Sequence, residues 1–533
     1  VSKIDLRTLR PRWGVGQGAA DEDVAATPPA SVPGPTAVDV AVLVGLTLLL
    51  AFLWGRGRHV WFWLDEGISV GISSHPLSAI PELLRQDGSP PLYYGLLHVW
   101  MSVFGTSDEA THLLSLLFAL ATVPAALWAG WSLFGRRAGW MAVALVAINP
   151  FLATYANETR MYTLVALLGL MATATFLHAF VFRRRRYLPL FGVSLALVLY
   201  SHNWGLFFAV AAGVALLGCI ALAPPAERRR LFVDGVLAFG GAGLLYVPWL
   251  PSLAYQVAHT GAPFTLRPTL LIVRRDLEML LGGPEAVVAL GLGSGVAFMT
   301  LLRRPWSPRA VAVLAAAAIA LVTVGGGWAV SRHNSVWVYR YLAVVIGPLL
   351  LALAAGLAEG GRAAVAAVGV AALLFAPIDV KGQAFEKSNV KEVATQLGAT
   401  LKPGDLVVAD FGRTPVLFHY LPPGLRYAET TGPVADPGAS DQRDATKRLD
   451  EGHPAETVLP SLGALVPGAH VLVVCSAGEL ARDATLFLRL IAERCADALS
   501  LPEQDPSFRL DGTVAGTFEL SNSPVNGFLF TKL

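Results

Sequence analysis

Charge is scarce in this sequence. Asp, Glu, Lys and Arg make up 15% of its 533 residues, 54% are apolar, and the mean hydropathy is +0.56. Soluble domains carry about 25% charge, so an ordinary globular protein is excluded and a polytopic α-helical membrane protein is expected. Cysteine is rarer still: of the three present, Cys219 lies in an apolar run, while Cys475 and Cys495 share a polar C-terminal region. With no CxxC and no Cys/His cluster at zinc spacing, a structural zinc site is not expected. A disulfide between Cys475 and Cys495 stays open if that region faces an oxidising compartment. No Walker-type phosphate loop is present, so energy for a reaction would have to reside in the substrate. A net charge of +2 and the lack of a basic stripe with interleaved aromatics leave nucleic acid unsupported as a partner. No tandem repeat appears at solenoid periods.

What the chain has in abundance is apolar runs near the ~20 residues that cross a bilayer. They fall at about 36–54, 110–134, 138–156, 161–182, 187–202, 203–222, 235–252, 285–302, 309–330, 341–358 and 363–378, which predicts about eleven spans. Several are short or interrupted by Gly or Pro, so ten or twelve would also fit. Residues 1–35 mix Lys3, Arg7, Arg10 and Arg12 with Asp21-Glu22-Asp23 and a Pro/Ala-rich run, and read as a disordered tail. No small-residue cleavage site soon follows the first apolar run, which therefore reads as an uncleaved span. Gly291-Leu292-Gly293-Ser294-Gly295 resembles half of a nucleotide fingerprint, but it lies in a predicted span with no strand before it. Small-residue helix packing is the expectation there.

Arginines recur in alternate connections: Arg136-Arg137, 183–186, 228–230, Arg303-Arg304 with Arg309, and Arg362. The positive-inside rule places these in the cytoplasm. The opposite set then faces out: Asp65-Glu66 and Asp87 in a first outer loop at 55–109, residues 157–162, 201–203, 253–284 and 331–341, and everything after about 379. Eleven spans put the N-terminus inside and the C-terminal region outside.

Residues 379–533 change character, with 20 acidic against 14 basic residues. Helical spacing runs over 388–401, strand signals at 406–409 and 470–475, a helix is predicted over 480–494, and closing strands at 513–520 and 527–532. A small extracytoplasmic α/β domain is expected, with about 429–457 as loop.

The outward face gathers an unusual polar set. It holds the carboxylates Asp65, Glu66 and Asp87, the run Glu158-Thr159-Arg160-Met161-Tyr162, then His202-Asn203, Arg332-His333 and Tyr339-Arg340-Tyr341. Cations at span ends cost several kcal/mol unless paired or wet, which makes Arg160, Arg332 and Arg340 candidates for holding an anion. Acids that accept a proton, arginines that fork onto phosphate and aromatics that stack on a sugar are the parts a membrane glycosyl transfer needs. Each element has a blander reading: a surface pair at a helix start for Glu158 and Arg160, a helix interruption for His202-Asn203, interfacial anchoring for Arg332-His333. Their gathering on one side weighs against all three.

The motifs Trp63-Leu64-Asp65-Glu66, Asp87-Gly88-Ser89-Pro90-Pro91-Leu92-Tyr93-Tyr94, Glu158-Thr159-Arg160-Met161-Tyr162 and Tyr339-Arg340-Tyr341-Leu342 give the chain its resemblance. Over roughly 36–345 it resembles the polyprenyl-phosphate-dependent glycosyltransferases of the C superfamily, in the family 39-like branch of protein O-mannosyltransferases and the lipid A aminoarabinose transferase. The resemblance implies a C-type fold and inverting transfer on the outer face of a bacterial plasma membrane, from a polyprenyl-phosphate sugar to a glycan, glycolipid or protein acceptor. It implies Asp65 as general base and Glu66 as positioning the acceptor or a cation. Asp87 and Glu158 would be supporting acids or ligands to a divalent cation (Mg, Mn or Ca), and Arg160, Tyr162, His202, Arg332, His333, Arg340 and Tyr341 would hold the donor phosphate and sugar. Mannose is the expected sugar and arabinose the alternative. Where many relatives carry His or Lys before the Pro-Pro element this chain has Gly88-Ser89, so compensating charge is expected from Arg332 or His333. A lipid-linked sugar transporter or flippase is the competing class, but it would set charges near the bilayer midplane; a sensor would leave the acidic pair unexplained.

Overall fold

In the computed structural model, residues 34–303, 307–382, 386–478, 480–517 and 523–533 are described. The expected tail at 1–35 falls almost wholly outside them, as do Arg304 and the end of the strand expected at 513–520. Among the described residues, seven helices are long and apolar enough to cross a membrane: Ala37–His59, Asp108–Phe134, Tyr162–Val181, Gly205–Leu222, Pro225–His259, Pro308–Ser331 and Tyr339–Glu359. Leu270–Leu280 and Pro284–Gly295, bent by 70°, make an eighth if they are one span. The shortfall from eleven has local causes. Asn149 caps a new helix at Pro150–Tyr155, dividing the run expected at 138–156 and leaving Arg136–Ala147 at 12 residues. Leu188–Ser201 has 14 residues, about 21 Å of rise against a hydrocarbon core of about 30 Å.

Peripheral and central helices differ as an apolar solvent demands. Ala37–Trp54 exposes Val38, Val40, Leu48 and Phe52, whereas Tyr162–Phe176 is buried on nearly every side. Lipid gives helices no hydrophobic reason to associate, so close approach through small residues does the work. Gly169 admits the Val344 carbonyl and Gly347 lies over the Leu170 backbone. The Gly291–Gly295 stretch serves the same purpose: Gly293 meets Ala367 and Leu357, and a Cβ on Gly360 would overlap the Gly293 carbonyl.

Successive helices run back and forth, which sorts the connections into two ends. At one end the arginine turns pair with acids on neighbouring helices: Arg136 with Asp39 at 2.7 Å, Arg183 with Glu227 at 3.2 Å and Arg185 with Asp234 at 2.7 Å. At the other end, hydrogen bonds tie distant connections together. The Asn157 amide donates to the Trp54 carbonyl at 2.8 Å, Asn203 to Gly88 at 3.0 Å and Gln256 to Leu84 at 2.8 Å. The first connection at this end carries the helices Leu64–Ser73, Ile80–Asp87 and Leu92–Phe104.

The C-terminal region is a mixed six-stranded sheet: β1 (Leu406–Ala409), β2 (Arg426–Glu429), β3 (Gly432–Val434), β4 (His470–Ser476), β5 (Phe508–Val514) and β6 (Val525–Lys532), in the order β3-β2-β1-β4-β6-β5. β1 is parallel to β2 and β4 and the other pairs are antiparallel. Every residue of β1 is buried, as a central parallel strand requires. The helix expected at 388–401 is Val390–Gln396 with a short turn at Gly398–Thr400, and the one expected at 480–494 is Leu486–Gln504, capped by the Thr485 side chain. The stretch 429–457 is not the loop expected: it holds the end of β2, β3 and the helices Ala445–Glu451 and Pro454–Thr457. These elements are too short to show a period, and β3 exists only by pairing with β2. Cys475 on β4 and Cys495 on Leu486–Gln504 form a disulfide with Cα atoms 5.8 Å apart, and Cys219 is free and buried. The domain docks on the first connection. Helix Thr414–Tyr420 lies against Leu64–Ser73, where Gly67 makes room for Val416 and Gly71, one turn on, for the Gly438 carbonyl.

Candidate active site

Helix Leu64–Ser73 places two carboxylates in its first turn, where the unsatisfied backbone N–H groups favour negative charge. Their environments are opposite. Glu66 is fully buried and saturated: it accepts from Lys387 Nζ at 2.7 and 2.8 Å and from the Thr159 amide at 2.7 Å, faces His112 Nε2 at 2.6 Å, and reaches back to the Trp63 amide at 3.3 Å. Burial alone would raise its pKa, but Lys387 and His112 outweigh burial and hold the carboxyl below its usual range. Glu66 is a brace with no face left for an acceptor or a cation.

Asp65 points the other way. Its side chain is 15% exposed, and Oδ2 accepts from Arg340 Nη2 at 2.9 Å. The Arg340 guanidinium lies 5.2 Å from the Trp63 ring centre and 6.0 Å from that of Tyr162. A second guanidinium flanks the same turn: Arg160 Nη1 donates to Ser69 Oγ at 3.0 Å, Tyr94 Oη at 3.2 Å and the Asp65 carbonyl at 3.3 Å. Asp87 is held by the hydroxyls of Ser89 and Tyr94; burial raises its pKa, and the opposing cation is Arg160. Compensation after the Gly88-Ser89 departure therefore comes from Arg160. Arg332 and His333 are exposed at the end of helix Pro308–Ser331 and join no ion pair or hydrogen bond of the cluster among the described residues. His202 packs 4.5 Å from Tyr341 between ring centres, and burial, with Arg160 and Arg340 nearby, pushes its pKa down to about 3, so its imidazole is neutral.

Several buried polar atoms around Asp65 lack a hydrogen-bond partner among the described residues: Glu158 Oε1, Arg160 Nε, Arg340 Nε, Tyr162 Oη and Asn203 Oδ1. A buried donor or acceptor left unmade costs about 1–3 kcal/mol, and this cluster leaves several that water or a polar ligand would satisfy. No three His, Cys, Asp or Glu side chains converge among the described residues. The positive charge beside Asp65 is that of Arg340 and Arg160.

Burial raises Glu158 to a pKa of about 7 against the pull of Lys387. A carboxyl whose folded pKa lies above its unfolded value favours folding at low pH and loses that contribution as pH rises through the folded value. Glu158→Gln is therefore expected to raise the thermal midpoint by a few degrees at pH 8 while leaving it unchanged at pH 4.5. Equal shifts at both pH values in a melting series would show that Glu158 does not titrate there.

No protein-family model and no curated protein matches the sequence. Solved structures do match. ArnT from Cupriavidus metallidurans bound to undecaprenyl phosphate aligns over 93% of this chain and 98% of its own, at 15% identity and a TM-score of 0.61. The chain has the C-type glycosyltransferase fold. The oligosaccharyltransferase of Archaeoglobus fulgidus, in a complex with zinc and sulfate, aligns over 81% of this chain and 67% of its own (13% identity, TM-score 0.52). The mycobacterial arabinofuranosyltransferase AftD aligns over 94% and 42% (15% identity, TM-score 0.52).

Within this C-type fold, the cluster brings together Asp65, Glu66, Asp87, Glu158, Arg160, Tyr162, His202, Arg340 and Tyr341 from connections up to 275 residues apart. Sequence reasoning missed Lys387, His112, Thr159, Tyr94 and Trp63. Tyr94 and Trp63 lay inside motifs already singled out. His112 offered only a lone imidazole at the start of an apolar run, and Lys387 only its place just after the last apolar run; neither position predicts a partner.

Proposed function

We propose that this chain is an inverting membrane glycosyltransferase that moves a sugar from a polyprenyl phosphate to an acceptor hydroxyl on the extracytoplasmic face of a bacterial plasma membrane. The observation that carries the reading is Asp65 set between two guanidiniums, Arg340 and Arg160, each with a buried Nε lacking a partner among the described residues. A lipid phosphate would supply acceptors for those N–H groups, and a forked guanidinium binds it bidentately. Competition by the phosphate for Arg340 would free Asp65 Oδ2. In the transfer, the acceptor oxygen bonds to the anomeric carbon, the bond from that carbon to the phosphate oxygen breaks, and Asp65 takes the hydroxyl proton. The arginines stabilise the charge left on the departing polyprenyl phosphate. Buried Glu158, whose pKa burial raises to about 7, and neutral His202 are positioned to hydrogen-bond sugar hydroxyls.

Sidedness follows from charge. The paired arginine turns occupy the end opposite Asp65, which supports a cytoplasmic N-terminus, an odd number of crossings and an outer C-terminal domain. Charges gathered at the helix ends, with the acidic cluster at one of them, speak against a transporter, whose ionisable groups would lie mid-membrane. Mannose is the first choice of sugar. Arabinose is the second reading, favoured by the alignment of AftD over 94% of this chain. The acceptor is a glycan, a glycolipid or a protein hydroxyl. Purified protein incubated with radiolabelled polyprenyl-phosphate mannose, and separately arabinose, together with membrane and periplasmic fractions, is expected to label an acceptor from one donor. Transfer from neither donor would end the proposal.

A further inference from the structure

The C-terminal domain sends one side chain into the interior of the site. Lys387 lies at the entry to that domain, three residues before helix Val390–Gln396, and its side chain is 17% exposed. Its ammonium donates to Glu66 Oε1 at 2.7 Å, to Glu66 Oε2 at 2.8 Å and to the Asn157 carbonyl at 2.6 Å. An ammonium has three protons, so all are used. Glu66 is the neighbour of Asp65, and Asn157 is the neighbour of Glu158. One cation therefore couples the helix turn that carries Asp65 to the segment that carries Glu158 and Arg160.

Other C-terminal residues grip the same stretch. The Trp61 amide donates to the Glu386 carboxylate at 2.9 Å, and the Phe62 amide to Tyr420 Oη at 2.7 Å. Tyr420 Oη donates to Asp108 at 2.9 Å, where Lys391 also pairs at 2.9 Å. Val416 fills the space left by Gly67. None of these groups bonds to the Asp65 side chain.

We propose that Lys387 is a positioning residue for Asp65, acting through Glu66, and that the C-terminal domain is thereby an integral part of the active site; the inference rests on the glycosyl-transfer reading above. Removing Lys387 leaves a buried carboxylate without its principal counter-ion, and such a charge either draws in water or drags its backbone toward another partner. Either response displaces Asp65, and an error of about 1 Å at a reacting group costs about 100-fold in rate.

The test compares the parent, Lys387→Met and the double variant Lys387→Met/Glu66→Gln as full-length proteins, by transfer kinetics and by amide hydrogen exchange without substrate. Lys387→Met is expected to lower kcat about 100-fold with donor KM little changed, and to speed exchange at 62–69 while β1 and β4 stay protected. The double variant, in which the Glu66 carboxylate is removed together with Lys387, is expected to recover most of the lost rate and protection. An unchanged kcat, exchange rising equally in the sheet, or a double variant no better than Lys387→Met would each overturn the proposal. If the parent transfers no sugar at all, it is the glycosyl-transfer reading that fails. The exchange arm then decides on Lys387 alone: selective loss of protection at 62–69 supports its positioning role and unchanged protection refutes it.

Discussion

Asp65→Asn is expected to lower kcat for sugar transfer by about 10³-fold, the contribution of a positioned general base, while the protein stays folded and inserted. Asparagine keeps the size of the side chain and can still accept from Arg340 Nη2 through its amide oxygen, so the local hydrogen bond survives. What disappears is the capacity to take a proton. Donor binding is expected to hold or tighten, because Arg340 no longer has a carboxylate competing with the lipid phosphate. A fall in kcat with no rise in donor KM is the signature of a group needed in the transition state. Turnover at the parental rate would show that the base lies elsewhere, and Asp87 would be the next candidate.

Arg340→Ala is expected to weaken polyprenyl-phosphate binding about 100-fold, since a charge-assisted bond to phosphate contributes up to about 3 kcal/mol. Arg340→Lys should recover only part of that, because an ammonium cannot fork across two phosphate oxygens. Arg332→Ala, at an exposed position outside the cluster, is expected to change donor affinity by less than about twofold. Direct binding of a radiolabelled polyprenyl phosphate to the three variants separates these outcomes. Equal losses for Arg340→Ala and Arg332→Ala would argue for a diffuse electrostatic effect and against a phosphate seat at Arg340.

Much of this architecture was legible because a bilayer leaves few solutions. Runs of apolar residues near twenty long must be helices, and the arginine turns at 136, 183–186 and 228–230 had to share an end: Arg183 and Arg185 pair with Glu227 and Asp234 on either side of the last turn, and Arg184 reaches the Ser132 carbonyl beside the first. The small-residue stretch at Gly291–Gly295 read correctly as a packing seam. The central strands β1 and β4 stood out because buried parallel strands are uninterrupted Val and Leu. Boundaries were less legible. Asn149 and Pro150 restart a helix in the middle of an apolar run, and β3 with its neighbouring helices is too short to leave a pattern.

At the site, residue types were readable and roles were not. Asp65 and Glu66 are adjacent in sequence and chemically alike, yet a helix turns successive side chains by about 100°, so one faces the arginines and the other Lys387, His112 and Thr159. Arg332 and Arg340 looked equivalent as cations at a span end. Only Arg340 falls on the turn that leads back under Trp63, while Arg332 caps its helix in the open.

By itself the sequence determined that the chain lies in a membrane, that its acidic and aromatic motifs collect at one end, and that a separate α/β unit follows the last apolar run, because composition and periodicity set local conformation and solvent preference. Which carboxylate is braced by Lys387 and which faces the arginines, and that the C-terminal domain anchors Glu66 from 321 residues away, were decided by the tertiary structure alone. Those facts depend on distances between segments remote in the chain, and nothing local in sequence encodes a distance.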